Sequence, residues 1–157
     1  MVIFELQDLQ RAIDHQPDQW RPLVLTNGCF DLLHVGHVRY LQTASRLGKA
    51  LVVGINSDRS VQALKGNHRP IIPQAQRAEV VSALRGVAGV VIFEELTAEH
   101  LIATLQPDIY VKGGDYQPET LPEMTLLTKL RIKLELIKVE VPTSTSGIVT
   151  KIKQSTH

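Results

Sequence analysis

The chain has 157 residues, a length suited to one domain around one core. Its 17 basic and 16 acidic residues leave a formal net charge of +1, which argues against a duplex nucleic-acid binder while leaving room for a local phosphate pocket. Membrane partners are not expected, because no apolar run approaches the roughly 18–20 residues that span a bilayer. Glu5, Asp8, Arg11 and Asp14 interrupt any secretory apolar run, and a single cysteine, Cys29, cannot close an internal disulfide. The expected location is the cytoplasm.

In chain order, residues 5–14 read as a short helix. Its apolar stripe is Phe4, Leu6, Leu9, Ala12 and Ile13, and Pro17 ends it. Pro22 to Thr26 is a short β-rich strand, and Val35 to Leu47 has helical spacing up to Gly48. A second strand at 50–55 leads into a Gly-containing loop with Lys65 and Arg69. A helix then runs from Gln74 to Leu84, entered through Pro73. Val87 to Phe93 is a third strand, and Thr97 to Leu105 a helix with Thr97 as N-cap. A fourth strand at 108–111, a helix from 119 to about 129, a mostly extended 132–141 and a last helix at 144–153 complete the chain. The alternation predicts an α/β fold: a single Rossmann-like, doubly wound domain with a parallel five-stranded sheet covered on both faces. Residues 1–21 form an N-terminal helical extension in this reading, and 22–153 the catalytic core. Ligands of such sheets bind beyond the carboxyl ends of the strands, near the switch in strand order. The loops after Thr26, Ile55 and Val111 are therefore where chemistry is expected.

Thr26–His37 (TNGCFDLLHVGH) joins the first long strand to the first long helix. Gly28 permits a tight turn, His34 and His37 face the same way on a helical turn, and Gly36 leaves the approach open. The helix start offers free N–H groups and a positive dipole end, which attract phosphate. Two ordinary histidines are one reading. A zinc site is another, but zinc needs three or four ligands and only Cys29 and Asp31 are close in sequence. A dinucleotide loop lacks its G-x-G-x-x-G. The fourth reading is a phosphate site whose histidines stabilise charge on a reacting phosphorus. Near the other end, Ser144, Thr145 and Ser146 are more hydroxyls than one helix cap requires, and can donate to phosphate oxygens. In VKGGDY (111–116), Gly113 and Gly114 permit close approach, Lys112 can pair with phosphate, and Asp115 can accept from sugar hydroxyls.

GCFDLLHVGH resembles the H-x-G-H signature of the cytidylyltransferase-like nucleotidyltransferases, matched at Phe30, Asp31, His34, Gly36 and His37. TSTSGI at 143–148 resembles their second signature, I-S-T-T-x-I, with Thr143 for the first Ile and Ser146 for the second Thr. The stretch 23–153 is similar to the nucleotidyltransferase half of bacterial ADP-heptose synthases. TNGCFD, VGINSDRSVQALKG with RPI, QRAEVVSAL and VKGGDY carry that likeness. Where that family has Gly-Gly before its last strand, this chain reads LTKLRIKLELI.

The resemblance implies transfer of AMP from ATP to D-glycero-β-D-manno-heptose 1-phosphate, with Mg²⁺ arriving on the nucleotide and no metal held by protein ligands alone. It implies catalytic roles for His34, His37 and Lys65. Asn27, Gly28, Cys29, Phe30, Gly36, Arg77, Ser144, Thr145 and Ser146 would bind nucleotide, and Asn56, Lys112, Gly113, Gly114 and Asp115 the acceptor. Asp31 is a second-layer partner for a histidine or the metal. A separate sugar kinase would supply the acceptor, and a homodimer is compatible with the family. The rival enzyme is a cytidylyltransferase acting on glycerol 3-phosphate or a similar alcohol phosphate. A non-catalytic ATP-sensing module is a rival of another class. Its mark would be loss of a histidine or of the hydroxyl run, and both are kept.

Overall fold

The computed structural model describes residues 2–114 and 116–156; Asp115 lies outside them. Six strands among the described residues form a single, wholly parallel sheet. They are β1 (Ile3–Phe4), β2 (Leu23–Gly28), β3 (Ala50–Asn56), β4 (Val87–Phe93), β5 (Ile109–Gly113) and β6 (Lys133–Ile137), in the order β1-β4-β3-β2-β5-β6. The helices are α1 (Leu6–His15), α2 (Pro17–Trp20), α3 (Val35–Ser45), α4 (Asp58–Lys65), α5 (Gln74–Ser82), α6 (Glu99–Leu105), α7 (Met124–Lys129) and α8 (Thr145–Gln154).

Side chains of a strand alternate between faces, and here both faces are buried. Leu23, Leu25, Ala50, Val52, Val91 and Phe93 pack against α1, α6 and α7 through Leu9, Ile13, Leu101, Ile102, Leu105 and Leu127. Val24, Leu51, Val53, Ile55 and Val90 point the other way, against Leu41 and Ala44 of α3 and Ala78 and Val81 of α5. That is why these strands read as continuous apolar runs.

Four local expectations change. The sheet has a sixth strand, because Ile3 and Phe4 pair with Val90 and Val91 at its edge. Residues 2–21 are thus built into the domain, with Leu9 fully buried and Ile13 nearly so. The loop expected before Lys65 is the helix α4, capped by Ser57, whose hydroxyl accepts from the Ser60 N–H at 3.1 Å. Thr97 does not cap α6; Ala98 takes that position and the Thr97 hydroxyl donates to the Glu99 carboxylate. The 119–129 segment is a short 3-10 turn, Pro118–Thr120, then α7.

Strand β2 pairs with β3 on one side and β5 on the other, so the strand order reverses between β2 and β5. The crevice predicted by topology opens above that pair. Thr26 and Tyr40 seal its floor: the Thr26 hydroxyl donates to the Val111 carbonyl at 2.9 Å, and the Tyr40 hydroxyl to the same carbonyl at 3.2 Å.

Candidate active site

A cavity of about 660 Å³ lies at the carboxyl ends of β2, β3 and β5. Asn27, Gly28, Cys29, Phe30, His34, Gly36 and His37 line it from the β2–α3 turn, Asn56 and Lys65 from β3 and α4, Lys112, Gly113 and Gly114 from β5, and Thr145 from α8. Segments far apart in the chain therefore meet at one place.

The start of α3 is organised by its two imidazoles. His34 is the N-cap, and its Nδ1 accepts from the Gly36 N–H at 3.1 Å. His37 Nδ1 accepts from the His34 N–H at 3.3 Å. Because each Nδ1 accepts, each ring carries its proton on Nε2, and both Nε2–H groups remain as donors. The rings sit 4.0 Å apart, centroid to centroid. Two N–H groups expected to be free for phosphate are thus taken by imidazoles, which present donors of their own instead. Burial, then the nearby His34 and Lys65, holds His37 down to about 4, so its ring is neutral at pH 7. Gly36 has a further reason to be glycine: a Cβ there would lie 2.8 Å from the His34 ring. Phe30, at φ 48°, occupies the left-handed region unusual for an aromatic residue, and its ring packs 5.5 Å from that of His37.

The second helix start is pinned beside the first. Ser144 caps α8 by accepting from the Gly147 N–H at 3.0 Å, and the Thr145 hydroxyl donates to the Leu32 carbonyl at 2.9 Å. Of the hydroxyl run, Thr145 lines the cavity together with Thr143; Ser144 and Ser146 do not line it. Ser144 serves the helix cap, and Ser146 is exposed.

Arg77, expected on the nucleotide, is instead sealed inside the protein at 1% exposure. Its guanidinium donates to the carbonyls of Cys29 and Ile72 and to the Asp58 carboxylate. It clamps the β2–α3 turn to α4 and α5. Asp31 likewise has no oxygen to spare for a histidine or a metal. It accepts from the N–H groups of Ile71 and Ile72 and from Arg69 Nε, all at 2.9–3.0 Å. Burial alone would raise its pKa, but those donors outweigh it and hold the carboxyl below its usual range. The result is to swing Arg69 into the cavity wall.

The cavity is thus lined by the cations Lys65, Arg69, Lys112 and Lys138. Burial lowers the Lys112 amine from its ordinary value, with Glu123 acting in the opposite direction. Burial raises the Cys29 thiol, which leaves it a poor nucleophile. Among the described residues no three His, Cys, Asp or Glu side chains converge as a metal site. Sequence reasoning passed over Tyr40, Tyr116 and Glu123, which also line the cavity. The signal for Tyr40 is its place on α3 one turn beyond Gly36; Glu123 has none.

Residues 25–152 match the family described as Cytidylyltransferase-like. The chain belongs to the cytidylyltransferase-like family. The family match makes the chain a nucleotidyltransferase. It is 47% identical over 146 residues to the Bifunctional protein HldE of Syntrophotalea carbinolica, covering 93% of this chain and 30% of that protein. It is 48% identical over 144 residues to the same-named protein of Trichlorobacter lovleyi, covering 92% and 29%. The chain therefore spans about 30% of the length of these relatives. Among solved structures it resembles a lipopolysaccharide core biosynthesis protein from Thermoplasma volcanium, with 28% identity, TM-score 0.61, and coverage of 76% of this chain and 97% of that one. Pantothenate synthetase from Thermus thermophilus shares the fold at 16% identity and TM-score 0.59, over 88% of this chain and 61% of that one. No helix among the described residues is long and apolar enough to cross a membrane.

Proposed function

We propose that this nucleotidyltransferase moves AMP from MgATP to D-glycero-β-D-manno-heptose 1-phosphate, giving ADP-heptose and pyrophosphate. The observation that carries the reading is the meeting of the His34–His37 helix start, Thr145 of the second helix start, Lys65 and Lys112–Gly114 in one cavity. In this reading the first three groups take the triphosphate and Lys112–Gly114 a second phosphate. The likeness to bifunctional relatives and to a lipopolysaccharide core protein supports a sugar acceptor.

In this mechanism a phosphate oxygen of the acceptor attacks the α-phosphorus in line. The new P–O bond forms as the bond to the β-phosphate oxygen breaks, and pyrophosphate leaves with the electron pair. The attacking oxygen is ionised at pH 7, so no strong general base is needed. The protein contributes positioning and charge stabilisation. His34 and His37 donate from Nε2 to the α-phosphate, where charge builds. Lys65, Arg69 and the Thr145 end of α8 hold the departing pyrophosphate. Lys112 meets the acceptor phosphate, with Gly113 and Gly114 allowing close approach; Asn56 and Asp115 are the other residues assigned to the acceptor in this reading. Arg77 and Ser144 act through the segments they hold rather than by contact. The reaction belongs in the cytoplasm, downstream of a sugar kinase.

A pyrophosphate-release assay crossing ATP and CTP with heptose 1-phosphate and glycerol 3-phosphate tests the reading. ATP with heptose 1-phosphate is expected to be the fastest pair by at least tenfold. CTP with glycerol 3-phosphate as the fastest pair overturns the substrate assignment.

A further inference from the structure

Glu123 stands at the start of α7 and is 2% exposed, yet it faces the cavity. Its Oε1 accepts from the Ala98 N–H at 3.2 Å. Its Oε2 is buried and has no hydrogen-bond partner among the described residues. A buried carboxylate oxygen without a donor is costly, and native proteins rarely keep one without use. Opposite in charge and lining the same recess is Lys112, whose Nζ lies 5.8 Å from the Tyr116 ring and 6.0 Å from that of Tyr110. Neither group has an ion-pair partner among the described residues.

We infer that Glu123 is a specificity residue whose Oε2 accepts a hydrogen bond from a hydroxyl of the acceptor, while Lys112 takes that acceptor's phosphate. The recess therefore selects a hydroxylated phosphate ester. This rests on the reading of the Lys112 side as the acceptor half-site. The opposed charges require a ligand with an anion at one end and a donor at the other. A hydroxyl suits Glu123 better than an ammonium group, because a second cation in this recess would be repelled by Lys112. Leu96, Leu121 and Pro122 supply an apolar rim that limits competition from water. A site built to pair with a hydroxyl rejects analogues lacking it far more strongly than an apolar pocket does.

The test uses Glu123→Gln, which keeps the carbonyl oxygen that receives the Ala98 N–H. Acceptor and ATP KM values are measured by pyrophosphate release, with heptose 1-phosphate, mannose 1-phosphate, glycerol 3-phosphate and phosphoethanolamine as acceptors. Single-deoxy analogues of the best acceptor follow. Acceptor KM is expected to rise roughly 10- to 100-fold, the scale of a hydrogen bond to a charged group, with ATP KM unchanged. One deoxy analogue should lose affinity against wild type and lose nothing further against the variant. A variant with lowered Tm but unchanged acceptor KM overturns the inference and leaves Glu123 as an anchor for α6, with the proposed reaction intact. Preference for phosphoethanolamine also overturns it. If wild type prefers another hydroxylated phosphate, the heptose assignment fails and the Glu123 inference is judged on that acceptor.

Discussion

The His34 N–H donates to Nδ1 of His37 at 3.3 Å, so one catalytic candidate fixes the tautomer of the other. The Gly36 N–H does the same for His34. Helix capping thus uses the Nδ1 edge of each ring and leaves the Nε2 edge for the phosphate contact proposed above.

His37→Ala removes one of those donors. Losing an oxyanion-type donor typically lowers kcat by about 10²–10³-fold, and that loss is expected here with the KM for ATP changed little. Steady-state kinetics on the folded variant checks it; near-normal kcat would reduce His37 to a helix cap.

Gly36→Ala tests the same site without touching a functional atom. The added methyl would sit 2.8 Å from the His34 ring carbon and 2.9 Å from its Nδ1, so the ring must turn away. A fall in kcat of at least tenfold is expected, with Tm close to wild type. Unchanged kcat would mean that the ring orientation seen here is not the working one.

Lys65→Ala should weaken ATP binding by about tenfold or more and leave AMP binding nearly unchanged, since an amine on the pyrophosphate end contributes only where that end is present. Calorimetry with both nucleotides decides the matter. An equal loss for both would move Lys65 to the nucleoside or the α-phosphate.

Arg77→Met is expected to cost about 2–4 kcal/mol of stability, since each buried acceptor left without its donor costs about 1–3 kcal/mol. It strands the Cys29 and Ile72 carbonyls that the guanidinium now serves. Denaturant unfolding measures this. A drop in ATP affinity with full stability would instead put Arg77 on the ligand.

His37 also gives stability a pH dependence. Its folded pKa of about 4 is below the unfolded 6.5, so the unfolded chain binds more protons in that window. Stability is fully present above 6.5 and falls as pH drops toward 4. Asp31 acts in the same direction lower down, as pH falls through its depressed value. Tm followed from pH 7.5 to 4.5 should fall less steeply for His37→Gln than for wild type. Parallel curves would show that His37 does not carry the slope.

Much of this was readable in the chain itself. Short β-branched runs such as ALVVGI and VAGVVIF read as strands buried on both faces, and their alternation with helical segments points to a parallel sheet. HVGH and TSTSGI are runs of adjacent residues, so their resemblance to the family signatures was legible without the fold. What a long-range contact decides has no such local trace. Arg77 on its helix looks like any surface arginine; only the fold brings the Cys29 carbonyl, 48 positions away, against it and buries both. Asp31 sits inside the first motif, yet it is spent on the backbone of Ile71 and Ile72, 40 and 41 residues on. Glu123 becomes distinctive only because the fold sets the start of α7 in the same cavity as Lys112. Composition and periodicity determine which face of an element is buried; which polar atom is left unpaired inside is determined by the tertiary packing of elements remote in sequence.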